Sequence, residues 1–302
     1  MTARIFIDGE AGTTGLGIRD RLANKAGIEL KSLVGADRKS LSAKTALLRE
    51  VDLVILCLPD DAAKETAALA GSIENGPRVL DASTAHRTAP GWTYGFPELG
   101  PHQAEAIKAA RFVSNPGCYA TGAIALLHPL TGAGLLASDA PVAINAISGY
   151  SGGGKAMIAE HEAGDAPAFK LYALGLGHKH VPEIMAYGGL TRRPIFVPSV
   201  GDFAQGMLVS IPLFLDDLAG KPTLGDLRGL LAAHYGAGDF VRVAATEAAE
   251  IEPESLNGGN NLELHVFGSD EKRQAVLVAK LDNLGKGASG AAVQNLELML
   301  GL

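Results

Sequence analysis

Two segments of this 302-residue chain carry side chains able to do covalent chemistry. In Ser114-Asn115-Pro116-Gly117-Cys118 a thiol follows a Pro-Gly turn, and Tyr119 to Leu130 behind it has helical periodicity. A thiol in the first turn of a helix has its thiolate favoured by the helix dipole. A thiolate is a strong nucleophile toward acyl carbon. A buried helix cysteine is the plainer reading, and the Pro-Gly turn tips the balance to the nucleophile. Cys57, between Leu56 and Leu58 in an apolar run, reads as core. The second segment is Gly177-His178-Lys179-His180-Val181-Pro182-Glu183. Two imidazoles and a carboxylate there suit a general acid/base and its orienting partner, against the alternative of a solvated polar loop. Either histidine fits, and His180 has Glu183 three residues on, in reach if the stretch turns helically. No third Cys or His stands nearby to complete a zinc set, so no metal is expected.

Two glycine-rich loops suit anions. Gly9-Glu10-Ala11-Gly12-Thr13-Thr14-Gly15 lies between the strand-like Arg4–Asp8 and a segment with Leu16, Ile18, Leu22 and Ala26 at helical spacing. Glycines let the backbone approach a pyrophosphate, and the helix start offers free N–H groups. The spacing G-x-x-G-x-x-G departs from the common G-x-G-x-x-G, and an ordinary tight turn is the alternative. After the second strand, Asp37 suits a ribose hydroxyl, whereas Arg38, Lys39 and Ser40 suit a 2′-phosphate and tilt the reading to NADP. Gly149 to Lys155 reproduces G-x-x-x-x-G-K, but Ala156 stands where a P-loop needs Ser or Thr for Mg²⁺. A P-loop nucleotide hydrolase is therefore disfavoured; a non-catalytic dinucleotide sensor is a further reading, which predicts a dispensable Cys118 and no thiol-dependent turnover.

Elements must hold these groups in place. Ile28–Val34, Val51–Leu58 and Arg78–Asp81 read as strands, with a helix from Asp61 to Ala70. Strands alternating with helices predict βαβ units and a parallel sheet. Beyond Gly117 the strand-like segments Ala140–Ile147, Ile195–Pro198, Met207–Leu215, Val241–Val243, Leu262–Phe267 and Gln274–Leu281 are dense enough for a mixed or antiparallel sheet. Gly287–Leu300 is helical again. The fold class is α/β: a Rossmann-type parallel sheet over 1–117, then a sheet-rich α+β domain over 118–282. Net charge is −7, which argues against a nucleic-acid partner. Two cysteines exclude a disulfide framework. The start has no signal-peptide core, and no apolar run reaches the roughly 18 residues of a membrane helix, so a cytoplasmic protein with no membrane partner is expected.

The motifs together resemble the N-acetyl-gamma-glutamyl-phosphate reductase family of arginine biosynthesis, in its shorter form. The matching stretches are Phe6–Leu16, Ser114–Gly122, Ser148–Lys155, Gly177–Glu183 and Asp282–Gly290, in order along nearly the whole chain. Gly285 is the one position where a bulkier residue is expected. The resemblance implies an NADP-binding Rossmann domain completed by the C-terminal segment 283–302. The middle domain would be catalytic and dimerising, of the semialdehyde dehydrogenase type. It implies a homodimer or homotetramer acting on a small acyl phosphate. Cys118 matches the family's catalytic cysteine; His178, His180 and Glu183 match its acid/base region. Gly9, Gly12, Thr13, Thr14, Gly15, Arg38, Ser40 and Asn283 would bind cofactor. Arg87, Asn115, Ser148 and Lys155 would hold the anionic substrate. A related semialdehyde dehydrogenase acting on aspartyl phosphate is the alternative.

Overall fold

The computed structural model describes residues 2–236, 238–245 and 249–302, with the side chain of Lys39 outside the described set. The chain divides into two compact units. The first runs to Pro97 and adds Pro101–Pro116 and Ala288–Leu302; the second is Gly117–Gly287 with Glu98–Gly100.

The first unit alternates strands and helices: β1 (Ala3–Asp8), α1 (Thr13–Leu22), β2 (Ile28–Lys31), α2 (Leu41–Glu50), β3 (Leu53–Leu56), α3 (Asp60–Ser72), β4 (Arg78–Asp81), β5 (Thr93–Tyr94), α4 (Gln103–Ala109) and β6 (Phe112–Ser114). All six strands are parallel, in the order β2-β1-β3-β4-β6-β5. Helices cover both faces, which is why β3 is apolar at every position and buried throughout. Side chains alternate between two cores. Ile5 and Ile7 join Ile18, Leu22 and Leu296, whereas Phe6 joins Leu48 and Ala63. Leu296 lies on the C-terminal helix Gly290–Leu300, so the end of the chain completes the first of these cores. Strand order reverses between β1 and β3, and the Gly9–Gly15 loop leaves from the end of β1. Ligands of open parallel sheets bind at such a reversal, beyond the carboxyl ends of the strands.

The second unit comprises α5 (Cys118–Gly132), β7 (Ala143–Gly149), α6 (Gly154–Glu162), β8 (Phe169–Leu171), α7 (Val181–Gly188), β9 (Ile195–Gly201), β10 (Met207–Phe214), α8 (Leu224–Tyr235), β11 (Val241–Val243), β12 (Leu262–Ser269) and β13 (Gln274–Leu281). Its seven strands run β11-β12-β13-β10-β7-β9-β8. β11 with β12 and β7 with β9 are parallel pairs; the others are antiparallel. α5 is apolar nearly all round and buried from Tyr119 to Leu127, as such a helix must be. Gly122 lets it press onto β10: a Cβ there would sit 2.8 Å from Val209 Cγ2. A helix held this closely presents its first residue, Cys118, at a fixed place.

The expected α/β class with one parallel and one mixed sheet is borne out. Boundaries moved where turn chemistry intervened. β2 stops at Lys31 rather than Val34, because the chain leaves the sheet toward the left-handed Gly35 (φ 55°). Ala26 lies beyond the end of α1, and the last helix begins at Gly290 after a π-helical turn over Gly285–Ser289. Among the described residues, no helix is long and apolar enough to cross a membrane.

Candidate active site

Cys118 opens α5 behind Gly117, which is extended (φ −78°, ψ 147°) and brings no side-chain cap. The first backbone N–H groups of a helix have no partner within the helix itself. The Gly117 N–H is taken by Glu183 Oε2 at 3.1 Å. Glu183 is buried in the first turn of α7, so its carboxylate lies at the N-terminal ends of two helices, where negative charge is favoured. On another side stands Gly287. A Cβ at that position would lie 2.8 Å from Cys118 Cβ and 3.1 Å from the Asp282 carbonyl oxygen. The Asp282 carboxylate builds this turn, accepting from Gln205 Nε2 at 2.6 Å and from the Gly258 and Leu284 N–H groups at 2.9 Å each. Gly285, where a bulkier residue was expected, has no room for one: a Cβ would be 2.0 Å from the Gly259 carbonyl oxygen. The expectation of bulk at 285 is corrected by that backbone approach.

The paired histidines lie beside the next residue of α5. His180 is buried at the N-cap of α7, and its backbone N–H donates to His178 Nδ1 at 3.2 Å. The two rings meet edge-on with centroids 4.7 Å apart, and lie 5.8 and 5.9 Å from the Tyr119 ring. The conditional helical turn from His180 to Glu183 does form, as the start of α7. Tyr119 Oη donates to the Ser199 carbonyl at 2.9 Å and accepts from Tyr172 Oη at 3.2 Å. Burial, then the charges of Tyr172 and Cys118, hold the Tyr119 phenol above its ordinary range. Burial likewise pushes Tyr172 up to about 12, and the charge on Cys118 adds to it. Both phenols are protonated at neutral pH, so they act through hydrogen bonds and not as bases.

Other predicted residues of this unit are spread around the same strand ends. Ser148 is buried at the end of β7 and donates to the Gly149 carbonyl at 2.9 Å. Lys155 is exposed, second in α6, after the glycine turn. The strand–loop–helix context of the G-x-x-x-x-G-K stretch is therefore real, with Ala156 in the hydroxyl position. Asn283 is buried, and both ends of its amide are engaged: Oδ1 accepts from the Gly206 N–H at 2.8 Å and Nδ2 donates to Ser151 Oγ at 2.9 Å.

In the first unit the glycine loop fits a dinucleotide pyrophosphate. Cβ atoms at Gly9 and Gly15 would lie 2.2 Å from the Cys57 carbonyl oxygen and 2.5 Å from the Gly9 carbonyl oxygen, so backbone packs on backbone. Gly12 supplies no side-chain cap, leaving the N–H groups of Thr13, Thr14 and Gly15 without helical partners. A cavity of about 280 Å³ adjoins, lined by Gly9, Glu10, Ala11, Leu33 and Arg38 among others. Arg38 lies along it, its Nε on the Leu33 carbonyl at 3.0 Å and Nη2 on Glu10 at 3.1 Å. Glu10 also takes Arg19 at 2.6 Å and Ser32 Oγ at 2.8 Å. Asp37 is exposed in the turn Gly35–Lys39, and Ser40 caps α2 through the Ala43 N–H. Arg87 is buried and donates to the Asn115 carbonyl at 3.1 Å. Asn115 in turn holds the Ala288 carbonyl (3.0 Å) and accepts from Asn295 (3.1 Å). Cys57 contrasts with Cys118: burial first, then the Asp81 and Asp8 charges, push its thiol up to about 12.

Residues 118–283 match the family model of the semialdehyde dehydrogenase dimerisation domain, and residues 7–108 that of the semialdehyde dehydrogenase NAD binding domain. Over 310 aligned positions the chain is 52% identical to the N-acetyl-gamma-glutamyl-phosphate reductases of Brucella ovis and Brucella canis, with 100% of each chain covered. The chain belongs to the N-acetyl-gamma-glutamyl-phosphate reductase family. Its fold is shared with the aspartate semialdehyde dehydrogenase II of Vibrio cholerae complexed with ASA (TM-score 0.74, 15% identity, 100% of this chain and 99% of that one). The aspartate semialdehyde dehydrogenase of Francisella tularensis is similar (TM-score 0.74, 12% identity, 99% and 100% covered). The resemblance in the motifs thus holds over the full length.

Sequence reasoning passed over several residues that the family's fold brings to these sites. Tyr119 was legible as the neighbour of Cys118, and Glu10 as the charged member of the glycine loop. Tyr172 and Asn295 carried no signal, because their partners Tyr119 and Asn115 are far away in the chain. His86, next to Arg87, lies 2.6 Å from the fully buried Asp81 and stacks on Trp92.

Proposed function

We propose that this chain reduces N-acetyl-glutamyl 5-phosphate to N-acetyl-glutamate 5-semialdehyde and phosphate with NADPH, as expected of its family. The observation that carries the chemistry is Cys118 at the first residue of α5, with Glu183 on the preceding N–H and two histidines beside the following ring. The Cys118 thiolate attacks the acyl-phosphate carbon; the carbon–oxygen bond to phosphate breaks, phosphate departs, and a thioester remains on the sulfur. Backbone N–H groups in the first turn of α5 stabilise the oxyanion in the tetrahedral intermediate. When bound, the nicotinamide supplies a hydride to the thioester carbonyl carbon. His180 or His178 accepts the thiol proton at the start and returns a proton to the carbonyl oxygen. As the thiohemiacetal collapses, the histidine takes back the hydroxyl proton, the carbon–sulfur bond breaks with its electron pair going to the Cys118 thiolate, and the semialdehyde is released.

The Gly9–Gly15 loop with the N–H groups of Thr13, Thr14 and Gly15 is the proposed pyrophosphate cradle. Arg38 and Ser40 read the 2′-phosphate, and Asn283, held by Gly206 and Ser151, is the proposed cofactor residue of the second unit. Ser148 and Lys155 of the second unit, and Arg87 and Asn115 of the first, are the proposed anion and substrate ligands. A homodimer or homotetramer in the cytoplasm completes the reading, supported by the dimerisation-domain match and the bacterial biosynthetic relatives. The aspartate semialdehyde dehydrogenases share only fold at this identity and lend no weight to an aspartyl substrate.

The test is phosphate-dependent NADP⁺ reduction with N-acetylglutamate semialdehyde. Cys118→Ala should abolish it while NADPH binding persists, and Cys57→Ala should keep it. A Cys118 variant retaining a substantial share of the rate, or a wild type preferring aspartate semialdehyde, overturns the proposal.

A further inference from the structure

The hydroxyls near Cys118 are ordered by a carbonyl that can only accept. The Ser199 carbonyl takes the Tyr119 proton at 2.9 Å, so the Tyr119 oxygen is left as the acceptor at the 3.2 Å contact with Tyr172. A phenol has one proton. The Tyr172 proton is therefore committed toward Tyr119, and the Tyr172 oxygen presents lone pairs only. Tyr119 is held by burial and by its ring contacts with Phe196 and both histidines, which keep its hydroxyl on the Ser199 carbonyl. Tyr172 itself is only partly covered, leaves β8 with its N–H on the Pro198 carbonyl, and meets His178 edge-on at 5.8 Å. The Tyr119 side chain that it touches belongs to the residue following Cys118.

We infer that Tyr172 is a specificity-determining residue whose oxygen accepts a hydrogen bond from a neutral N–H of the substrate. This rests on the proposed reading of the reaction, whose substrate has one such group, the acetamido N–H. A hydroxyl whose direction is already fixed recognises a donor and penalises an acceptor, because two facing oxygen lone pairs repel and neither is satisfied. Sites that hydrogen-bond a substrate N–H discriminate against the analogue lacking it more sharply than apolar pockets discriminate by size. The acetamido group would thus be read by its proton and not only by its bulk.

The test pairs two substrates with two proteins. One substrate is N-acetylglutamate semialdehyde; the other is its 2-acetoxy analogue, with oxygen in place of the amide N–H. Both are assayed for kcat and KM with NADP⁺ and phosphate. The wild type should prefer the acetamido compound by about tenfold in kcat/KM, mostly through KM, the size of one net hydrogen bond. Tyr172→Phe should accept the two within about twofold. A Tyr172→Phe enzyme that keeps the tenfold preference, or a wild type with none, overturns the inference. Failure of the underlying reading looks different, because the wild type would then turn over neither compound. If Tyr172→Phe does not fold by its thermal transition, Tyr119→Phe decides. It keeps the Tyr172 hydroxyl but frees its proton, so the preference should fall below threefold, and an unchanged tenfold preference refutes the ordering.

Discussion

Replacing Gly287 with Ala should disable the enzyme without touching any reactive atom. The added Cβ would stand 2.8 Å from Cys118 Cβ, with the Asp282 carbonyl oxygen 3.1 Å away on another side. About 0.6 Å of displacement restores ordinary van der Waals contact. Asp282 cannot yield easily, because three hydrogen bonds hold its carboxylate and its carbonyl accepts from Gly285 and Gly287. Cys118, the first residue of α5, is the group displaced. A misplacement of about 1 Å at a reacting group costs on the order of 10²-fold in rate. The overpacking itself costs about 1–3 kcal/mol of stability. The assay is kcat with N-acetylglutamate semialdehyde, together with the rate of Cys118 alkylation by iodoacetamide and the melting temperature. A loss of about 10² in kcat with the protein still folded at 25 °C is expected. A Gly287→Ala enzyme within threefold of the wild type would show that the sulfur position is not what this turn controls.

Other outcomes follow from the same geometry. Alanine at His180 or His178 should lower kcat by about 10²–10⁴-fold for whichever transfers the proton; small, equal losses in both variants would remove the pair from the mechanism. Arg38→Ala should weaken NADPH binding by about tenfold and leave NADH unchanged in a fluorescence titration. The low end of the range for hydrogen bonds to charged groups applies, because the guanidinium is more than half exposed and shared with Glu10. An unchanged NADPH-to-NADH ratio would hand that role to Asp37. Burial first, and then the charge of His128, hold His234 below its ordinary 6.5. The unfolded chain binds that proton more readily, so stability is full above about pH 6.5 and declines as pH falls below it. His234→Gln should flatten the fall in melting temperature between pH 7 and 5; superimposable pH profiles for the two proteins would contradict the assignment.

Much of the chemistry was legible from local order. Cys118 behind Pro116-Gly117 announces a helix start, since proline and glycine end what precedes and the apolar period begins at once. Gly9, Gly12 and Gly15 after an apolar strand announce a backbone that must be approached closely. The apolar run Leu53–Leu56 announces a strand covered on both faces. These signals work because turn chemistry, capping and side-chain period act over a few residues, and a chain carries them wherever it is placed. What Glu183 does was not legible. Its spacing from His180 suggested an orienting partner for the imidazole, whereas its carboxylate also holds the Gly117 N–H, 66 positions away.

The amino-acid sequence by itself determined which reactive groups exist, which of the two thiols opens a helix, and that a parallel sheet with a glycine loop precedes a mixed sheet. Tertiary structure decided the rest. Packing of α5 on β10 and β13 fixes where the sulfur sits, and the backbone approach at Gly287 forbids a side chain against it. Helix α7 brings Glu183 to the turn before Cys118, and the order of hydrogen bonds from Tyr172 through Tyr119 to the Ser199 carbonyl exists only once three distant segments meet. The physical reason is that a hydrogen bond has a direction and a length of about 3 Å. Residue types name possible donors and acceptors, but only packing brings one pair within that distance and turns one proton toward one oxygen.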